Sequence, residues 1–263
     1  MRAFFSLLAF LTHAGAHVQR VSVPLDGNIS LDAALVLPRG PVRAPAVVAL
    51  HGCGGPFASR DGSWALALAN AGHIVLLPDS FGSRGLGPQC SVKDRHVRPS
   101  GLRRKDAIAA AQWLNRRPDV PSGGIELIGW SNGGGTVLYT ATETGDLPAG
   151  LFRRFVAFYP GCRTLSRDSG WRPAAPLMIL VGESDDWTPA APCHDLAARF
   201  PAEITLLAYP GAYHEFDAPN LPVRLRTGLA TAANGNGRAH TGTNERARQD
   251  ALKSVLAFLE ARA

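Results

Sequence analysis

The sequence predicts an α/β fold in which a mostly parallel central sheet carries helices on both faces. Three observations predict it. Apolar runs of strand length alternate with longer amphipathic segments from residue 46 onward. Most of those runs are apolar without interruption, as in "AVVAL", "HIVLL" and "LMILV", the pattern of strands buried on both faces. The polar, glycine-rich stretches fall just after the strands, where right-handed crossovers gather the strand-to-helix loops at one edge of the sheet.

The elements follow in order. Residues 1–16, "MRAFFSLLAFLTHAGA", combine a basic Arg2, an apolar segment and the small-residue triplet Ala14-Gly15-Ala16. That is the layout of a secretory signal peptide. It sets this segment outside the fold, leaves one domain over 17–263, and predicts a periplasmic or secreted protein. "VQRVSVPL" and "SLDAALVLP" read as an opening hairpin turned at Asp26-Gly27-Asn28. "PAVVALHG" is a strand. "SWALALANAG" is a helix closed by Gly72, and "HIVLLPD" is the next strand. "LRRKDAIAAAQWLNRRP" is apolar at helical spacing and stops before Pro118. "IELIGW" is a strand and "GGTVLYTATET" a helix. "RFVAFYP" and "PLMILVGE" are strands, "APCHDLAARF" a helix, "ITLLAYPG" a strand and "NERARQDALKSVLAFLEA" the last helix. Residues 220–244, rich in Gly, Asn and Arg, read as a long flexible loop.

Charge and cysteine content narrow the function classes. The net charge of +6 is carried mostly by scattered arginines. The cluster Arg98, Arg103, Arg104, Lys105, Arg116 and Arg117 has no interleaved aromatics, so it reads as a solvated helix face and not as a nucleic-acid surface. No apolar run is long enough to span a bilayer. The four cysteines, Cys53, Cys90, Cys162 and Cys193, are spaced too widely for a metal knuckle and suit an oxidising compartment. Cys162 and Cys193 both lie just past strand ends on one side of the sheet, which favours their pairing.

The chemistry centres on "ELIGWSNGGGTVL". Ser131 is the only serine with glycine two residues away on both sides, and it sits where a strand turns into a helix. Gly129 and Gly133 leave room for a sharp bend that exposes one hydroxyl beside a helix N-terminus. A serine hydroxyl needs a base to attack at neutral pH. His194, His214 and His240 follow it. His194 falls within a helix and His240 in the 220–244 loop, whereas His214 follows a strand at the loop edge and is the expected base. The acid that orients it comes from "VGESDDWTP". Asp185, four residues before Pro189, is preferred. Asp186 is expected to cap the following helix, and Glu183 is the outlying alternative. An oxyanion hole needs two backbone N–H donors. Asn132, next to the nucleophile, and Cys53, in "HGCGG", are expected to supply them.

Those pieces, "HGCGG", "PDSFGSRG", "GWSNGG", "GESDDWTP" and "YPGAYHEFD", resemble the dienelactone hydrolase family of α/β-hydrolases and span most of the chain after residue 50. The resemblance implies a carboxylic ester or lactone substrate, an acyl-enzyme, and no metal or organic cofactor. It also supports Asp185 and His214. Two departures stand out. The family's founding enzymes use a cysteine where this chain has Ser131, and they carry a glutamate in the loop where this chain reads "HGCGG". An arginine of the family binds the substrate carboxylate, and Arg84 stands near the matching place. The rival readings are a peptidase or acyltransferase on the same three residues, or a binding module that has lost catalysis.

Overall fold

The computed structural model describes residues 2–25, 29–143 and 147–261. Among the described residues, ten strands and seven helices run in the order α1 (Arg2–His13), β1 (His17–Pro24), β2 (Ser30–Leu37), β3 (Val47–Leu50), α2 (Ala58–Asn70), β4 (Val75–Pro78), α3 (Leu102–Asn115), β5 (Ile125–Trp130), α4 (Asn132–Thr140), β6 (Phe152–Phe158), α5 (Arg163–Ser166), β7 (Leu177–Gly182), α6 (Ala191–Arg199), β8 (Ile204–Tyr209), β9 (Arg224–Arg226), β10 (Ala239–Thr241) and α7 (Glu245–Glu260). A 3-10 turn, Gly82–Arg84, follows β4.

The main sheet has the order β1-β2-β4-β3-β5-β6-β7-β8. β1, β2 and β4 pair antiparallel, and every later pair is parallel. The uninterrupted apolar runs explain this. β3, β4, β5 and β7 are buried at every position, because helices cover both faces. Along β5, Ile125 and Leu127 join the core under α3, α4 and α6, while Ile128 and Trp130 join the core under α2 and α7. That alternation is the period of two of a strand sandwiched between layers.

Each strand and long helix expected from the sequence is present, with differences at the ends. α2 begins at Ala58, and α4 stops at Thr140. The Asp26-Gly27-Asn28 turn lies outside the described residues, as does Thr144, the end expected for the helix after Ser131. Two expectations are corrected. Residues 220–244 hold an antiparallel β9/β10 ribbon whose residues Leu229 and Ala239 pack with Trp187, Cys53 and Cys90. Its apolar positions are sparse, which hides it from any periodicity. The basic cluster is not uniformly solvated either: Arg103 is fully buried, and Arg104 donates to the Tyr139 carbonyl.

The apolar segment at the start, expected to lie outside the fold, forms α1 and buries Phe4, Leu7 and Leu11 against α2. The i, i+3, i+7 spacing that makes it apolar along one stripe also lets it pack as a helix. Among the described residues, no helix is long and apolar enough to cross a membrane. Both cysteine pairs are joined, Cys53–Cys90 and the expected Cys162–Cys193. Two disulfides fit an oxidising location.

Candidate active site

The site is built where β5 gives way to α4. Ser131 holds φ 54° and ψ −112°, a left-handed conformation that costs a non-glycine residue of order 1–3 kcal/mol. Its neighbours show why glycine is required. A Cβ on Gly129 would strike the Gly133 carbonyl, and one on Gly133 would strike the Leu50 carbonyl and lie 2.7 Å from the His51 oxygen. With only hydrogens there, α4 starts directly over the ends of β3 and β5. The strained angles aim the Ser131 hydroxyl out of the bend.

His214 stands in the loop after β8, brought close to the end of β7 by another glycine. A Cβ on Gly182 would strike the Ala212 carbonyl. His214 Nε2 lies 2.9 Å from Ser131 Oγ, and His214 Nδ1 lies 2.7 Å from Asp185 Oδ2. The imidazole is buried between two rings, Tyr159 at 4.5 Å and Trp187 at 4.6 Å between centroids. Asp185, also buried, has its other oxygen filled: Oδ1 accepts 2.8 Å bonds from the Trp187 and Thr188 N–H groups. Thr188 Oγ1 sits 2.9 Å from Asp185 Oδ2 and 3.0 Å from the Tyr159 carbonyl. A carboxylate held by four donors cannot swing away from the histidine.

The alternatives have other partners. Asp186 does not cap α6. It accepts from the His240 backbone N–H at 2.7 Å and faces His240 Nδ1 at 2.8 Å, tying the β9/β10 ribbon to the site. His194 and Glu183 pair with each other at 2.8 Å on the exposed surface. Of the three histidines and three acids weighed from the sequence, only His214 and Asp185 meet Ser131.

Cys53 and Asn132 both line a cleft with Ser131. The Asn132 N–H is the first of α4, which helix geometry leaves without an intrahelical acceptor. The Cys53 N–H makes no backbone hydrogen bond among the described residues, while its carbonyl accepts from Gln89 N at 2.7 Å. A Cβ on Gly52 would lie 3.6 Å from Ser131 Cβ, so the "HGCGG" loop lies directly against Ser131.

Two clefts open beside Ser131. One, of about 210 Å³, is lined by Arg60, Glu215, Arg224 and Arg226. The other, of about 160 Å³, is lined by Arg95, Pro99, Tyr139 and Thr231. Trp187 walls both. Arg84 is not among these residues. Both its terminal nitrogens bind Asp106, at 2.8 and 2.6 Å, one also reaches the Ser80 carbonyl, and it lines a separate cleft with His96 and Lys105. The 3-10 turn after β4 swings Arg84 toward α3, where the Asp106 carboxylate captures it. Of the four arginines that line the clefts beside Ser131, Arg224 and Arg226 sit on the ribbon, Arg60 on α2 and Arg95 in the loop before α3; no sequence motif announces them.

Beneath the site lies a buried polar network. Asp217 accepts from Trp64 Nε1 and Trp130 Nε1, each at 2.8 Å, and from the Tyr159 hydroxyl at 2.6 Å. Burial pushes the Asp217 carboxyl up, against the pull of Arg60 and these donors, and pushes the Tyr159 hydroxyl well above its ordinary range. For Arg60 burial works against the charge, but Asp61, Tyr159, Asp217 and Glu215 outweigh it, so the guanidinium stays protonated. Trp130 directly precedes Ser131 and Tyr159 walls His214, so this network braces both residues. Among the described residues, no group of His, Cys, Asp and Glu could hold a metal ion.

A sequence model of the dienelactone hydrolase family matches residues 31–262. The chain belongs to the dienelactone hydrolase family. Among solved structures, a dienelactone hydrolase from Anabaena variabilis is 25% identical over 78% of this chain and 90% of its own, with a TM-score of 0.60. An esterase from Pyrobaculum calidifontis is 18% identical over 98% of this chain and 91% of its own, TM-score 0.66. Porphyromonas gingivalis dipeptidyl peptidase 4 is also 18% identical over 92% of this chain but only 35% of its own, TM-score 0.64. The last two likenesses are likenesses of fold. They place the chain in the wider α/β-hydrolase architecture; the general activity of a hydrolase comes with the family match.

Proposed function

We propose that this dienelactone hydrolase family member cleaves a small carboxylic ester or lactone through an acyl-serine intermediate. The observation that carries the reading is the unbroken chain from Ser131 Oγ through His214 to Asp185, at 2.9 and 2.7 Å. His214 Nε2 takes the Ser131 proton as Oγ attacks the carbonyl carbon. The carbonyl oxygen becomes an anion held by the Asn132 and Cys53 N–H groups. The C–O bond to the alcohol breaks, and the alcohol leaves with the proton from His214. Water, deprotonated by the same nitrogen, attacks the acyl group; collapse of that second intermediate frees the carboxylic acid and returns the proton to Ser131.

The ester or lactone class rests on the family match; the modest clefts, about 210 and 160 Å³, suit an acyl and an alcohol group of a few heavy atoms each. Arg60 is paired with Asp61 at 2.7 Å, so Arg224 and Arg226 against Glu215 leave the larger cleft positive. We also infer export, with residues 1–16 as a leader whose cleavage would uncover the face of α2 that α1 packs on; the two disulfides support this compartment.

A panel of acetyl and butyryl esters, small lactones and peptide amides tests the reading. Ester or lactone turnover that vanishes in Ser131→Ala is expected. Turnover confined to peptide amides would favour the peptidase reading, and no turnover at all with wild-type protein would favour a binding module.

A further inference from the structure

Arg103 lies on α3, with its whole side chain buried, and takes no direct part in the proposed chemistry. Its two arms reach different pieces of the site. One terminal nitrogen donates to Asn132 Oδ1 at 2.6 Å, and the other donates to the His51 carbonyl at 2.9 Å. Asn132 carries one expected oxyanion donor. His51 immediately precedes the Gly52–Cys53 peptide that carries the other. The guanidinium therefore bridges two loops that come from different strands, β5 and β3.

His51 extends the clamp. The Ser80 N–H donates to its Nε2 at 3.2 Å, so the ring proton sits on Nδ1, which lies 2.8 Å from the Gly52 carbonyl. A trans peptide sets its carbonyl and its N–H in opposite directions. Holding the Gly52 oxygen back against His51 thus turns the Cys53 N–H the other way. Burial, reinforced by Arg103 and Arg60, pushes the His51 pKa well down and keeps the ring neutral, as this tautomer requires.

The charge on Arg103 is itself unusual. Burial draws its pKa down to about 10, with Asp106, Asp79 and Asp61 pulling the other way, so it remains a cation at neutral pH. Yet Asp106, three residues along the helix, is occupied by Arg84, and Arg103 Nε has no partner among the described residues. A buried cation is costly unless it is compensated. Here the hydrogen-bonding partners are two neutral oxygens, both attached to the segments that would hold a developing anion.

We propose that Arg103 is a positioning residue that clamps both halves of the oxyanion hole and sets the direction of the Cys53 and Asn132 N–H groups. The inference rests on the acyl-serine reading above. It assigns no contact between Arg103 and substrate; the guanidinium acts through Asn132 and through the His51–Gly52 segment. A buried cation in that position adds positive potential where the oxyanion forms.

The test compares wild-type protein with Arg103→Ala, Arg103→Met and Arg103→Lys, in p-nitrophenyl acetate hydrolysis. Reactive serines are counted by the end-point stoichiometry of a fluorophosphonate, so that kcat is expressed per competent site. Losing one arm of positioning is expected to lower kcat by about 10- to 100-fold with KM within about twofold, since an ångström of misplacement costs on that order. Arg103→Lys, with a single point charge, should fall between. Guanidinium chloride at tens of millimolar should restore at least tenfold activity to Arg103→Ala, where sodium chloride does not. A trifluoromethyl ketone, bound as an oxyanion, should weaken in parallel with kcat/KM.

Wild-type kcat per labelled serine in Arg103→Met and Arg103→Lys would overturn the proposal. So would a loss that appears only as fewer labelled serines, because a purely structural role predicts that result. If Arg103→Ala does not fold, the lysine and methionine variants decide. Failure of the wild-type serine to label at all would instead remove the acyl-serine reading on which the inference stands.

Discussion

Replacing Asp185 by asparagine should remove activity while leaving the fold intact, and the structure says why. The carboxylate has two distinct edges. Oδ1 accepts from the Trp187 and Thr188 N–H groups, and Oδ2 faces His214 Nδ1 and the Thr188 hydroxyl. An amide can satisfy the two backbone donors only by placing its oxygen on the Oδ1 side. Its NH2 then faces His214 Nδ1, which must present a lone pair and shift its proton to Nε2. That nitrogen would now donate to Ser131 Oγ, and no base remains. The opposite amide orientation would put NH2 against two N–H donors. A base locked in the wrong tautomer costs on the order of 10⁴ in kcat, or about 5.5 kcal/mol at the transition state. Steady-state hydrolysis of p-nitrophenyl acetate, with circular dichroism to verify folding, reads the loss. Asp186→Asn is the control, since Asp186 holds His240 and the ribbon; its kcat should change less than about tenfold. An Asp185→Asn protein that keeps more than a tenth of wild-type kcat would show that Asp185 does not set the His214 tautomer.

Further expectations follow from the packing and the buried charges. Gly133→Ala would press a methyl into the Leu50 and His51 carbonyls and should lower the melting temperature by roughly 6–12 °C, for about 3 kcal/mol of overpacking. Gly54→Ala, with open space around it, should not. Glu126 sits fully buried near His73, Arg153 and Arg154, and burial pushes its pKa from 4.5 to about 8. A carboxyl raised in the folded state stabilises it below pH 4.5, and that contribution is lost as pH rises toward 8, with a limiting slope of about 1.4 kcal/mol per unit. His73, lowered by burial, has the opposite sign and acts below its ordinary 6.5. Asp61, Asp79 and Asp217 are raised by burial and share the sign of Glu126, so its own share is the difference between wild-type protein and Glu126→Gln in urea unfolding at pH 7, 8 and 9, the variant showing the flatter decline. The disulfides close segments of 37 and 31 residues, so removing either should cost about 4 kcal/mol by loop closure. Only the Cys53/Cys90 double serine variant should also lose kcat per folded molecule, because Cys53 lies in the oxyanion loop.

Much of this was legible in the chain because local signals and tertiary demands agree. The strand "IELIGW" followed by Ser131 between two glycines has one compact solution, and His214 and Asp185 lie just past apolar runs that must be neighbouring strands. The signals fail where the chain is polar or where a charge is buried. Arg103 reads as surface because a burying partner 29 residues away cannot be inferred from helix spacing. Thr188, which holds Asp185 and approaches His214 Nδ1 at 3.1 Å, looks like any loop threonine. The ribbon of β9 and β10 is anchored by Asp186 and by Gly242 N–H donating to the His214 carbonyl at 3.0 Å, not by an apolar stripe. Arg84 misleads for a related reason: proximity in sequence to a family position says nothing about the Asp106 carboxylate waiting on α3.

The central claim is that a single strained serine, primed by His214, does the covalent chemistry. Incubation of the protein with a fluorophosphonate, followed by peptide mapping in a mass spectrometer, tests it most directly. One adduct per chain is expected, on the peptide that contains Ser131, absent from Ser131→Ala and strongly slowed in His214→Ala. Modification of another residue, or equal labelling of the Ser131→Ala protein, would contradict it.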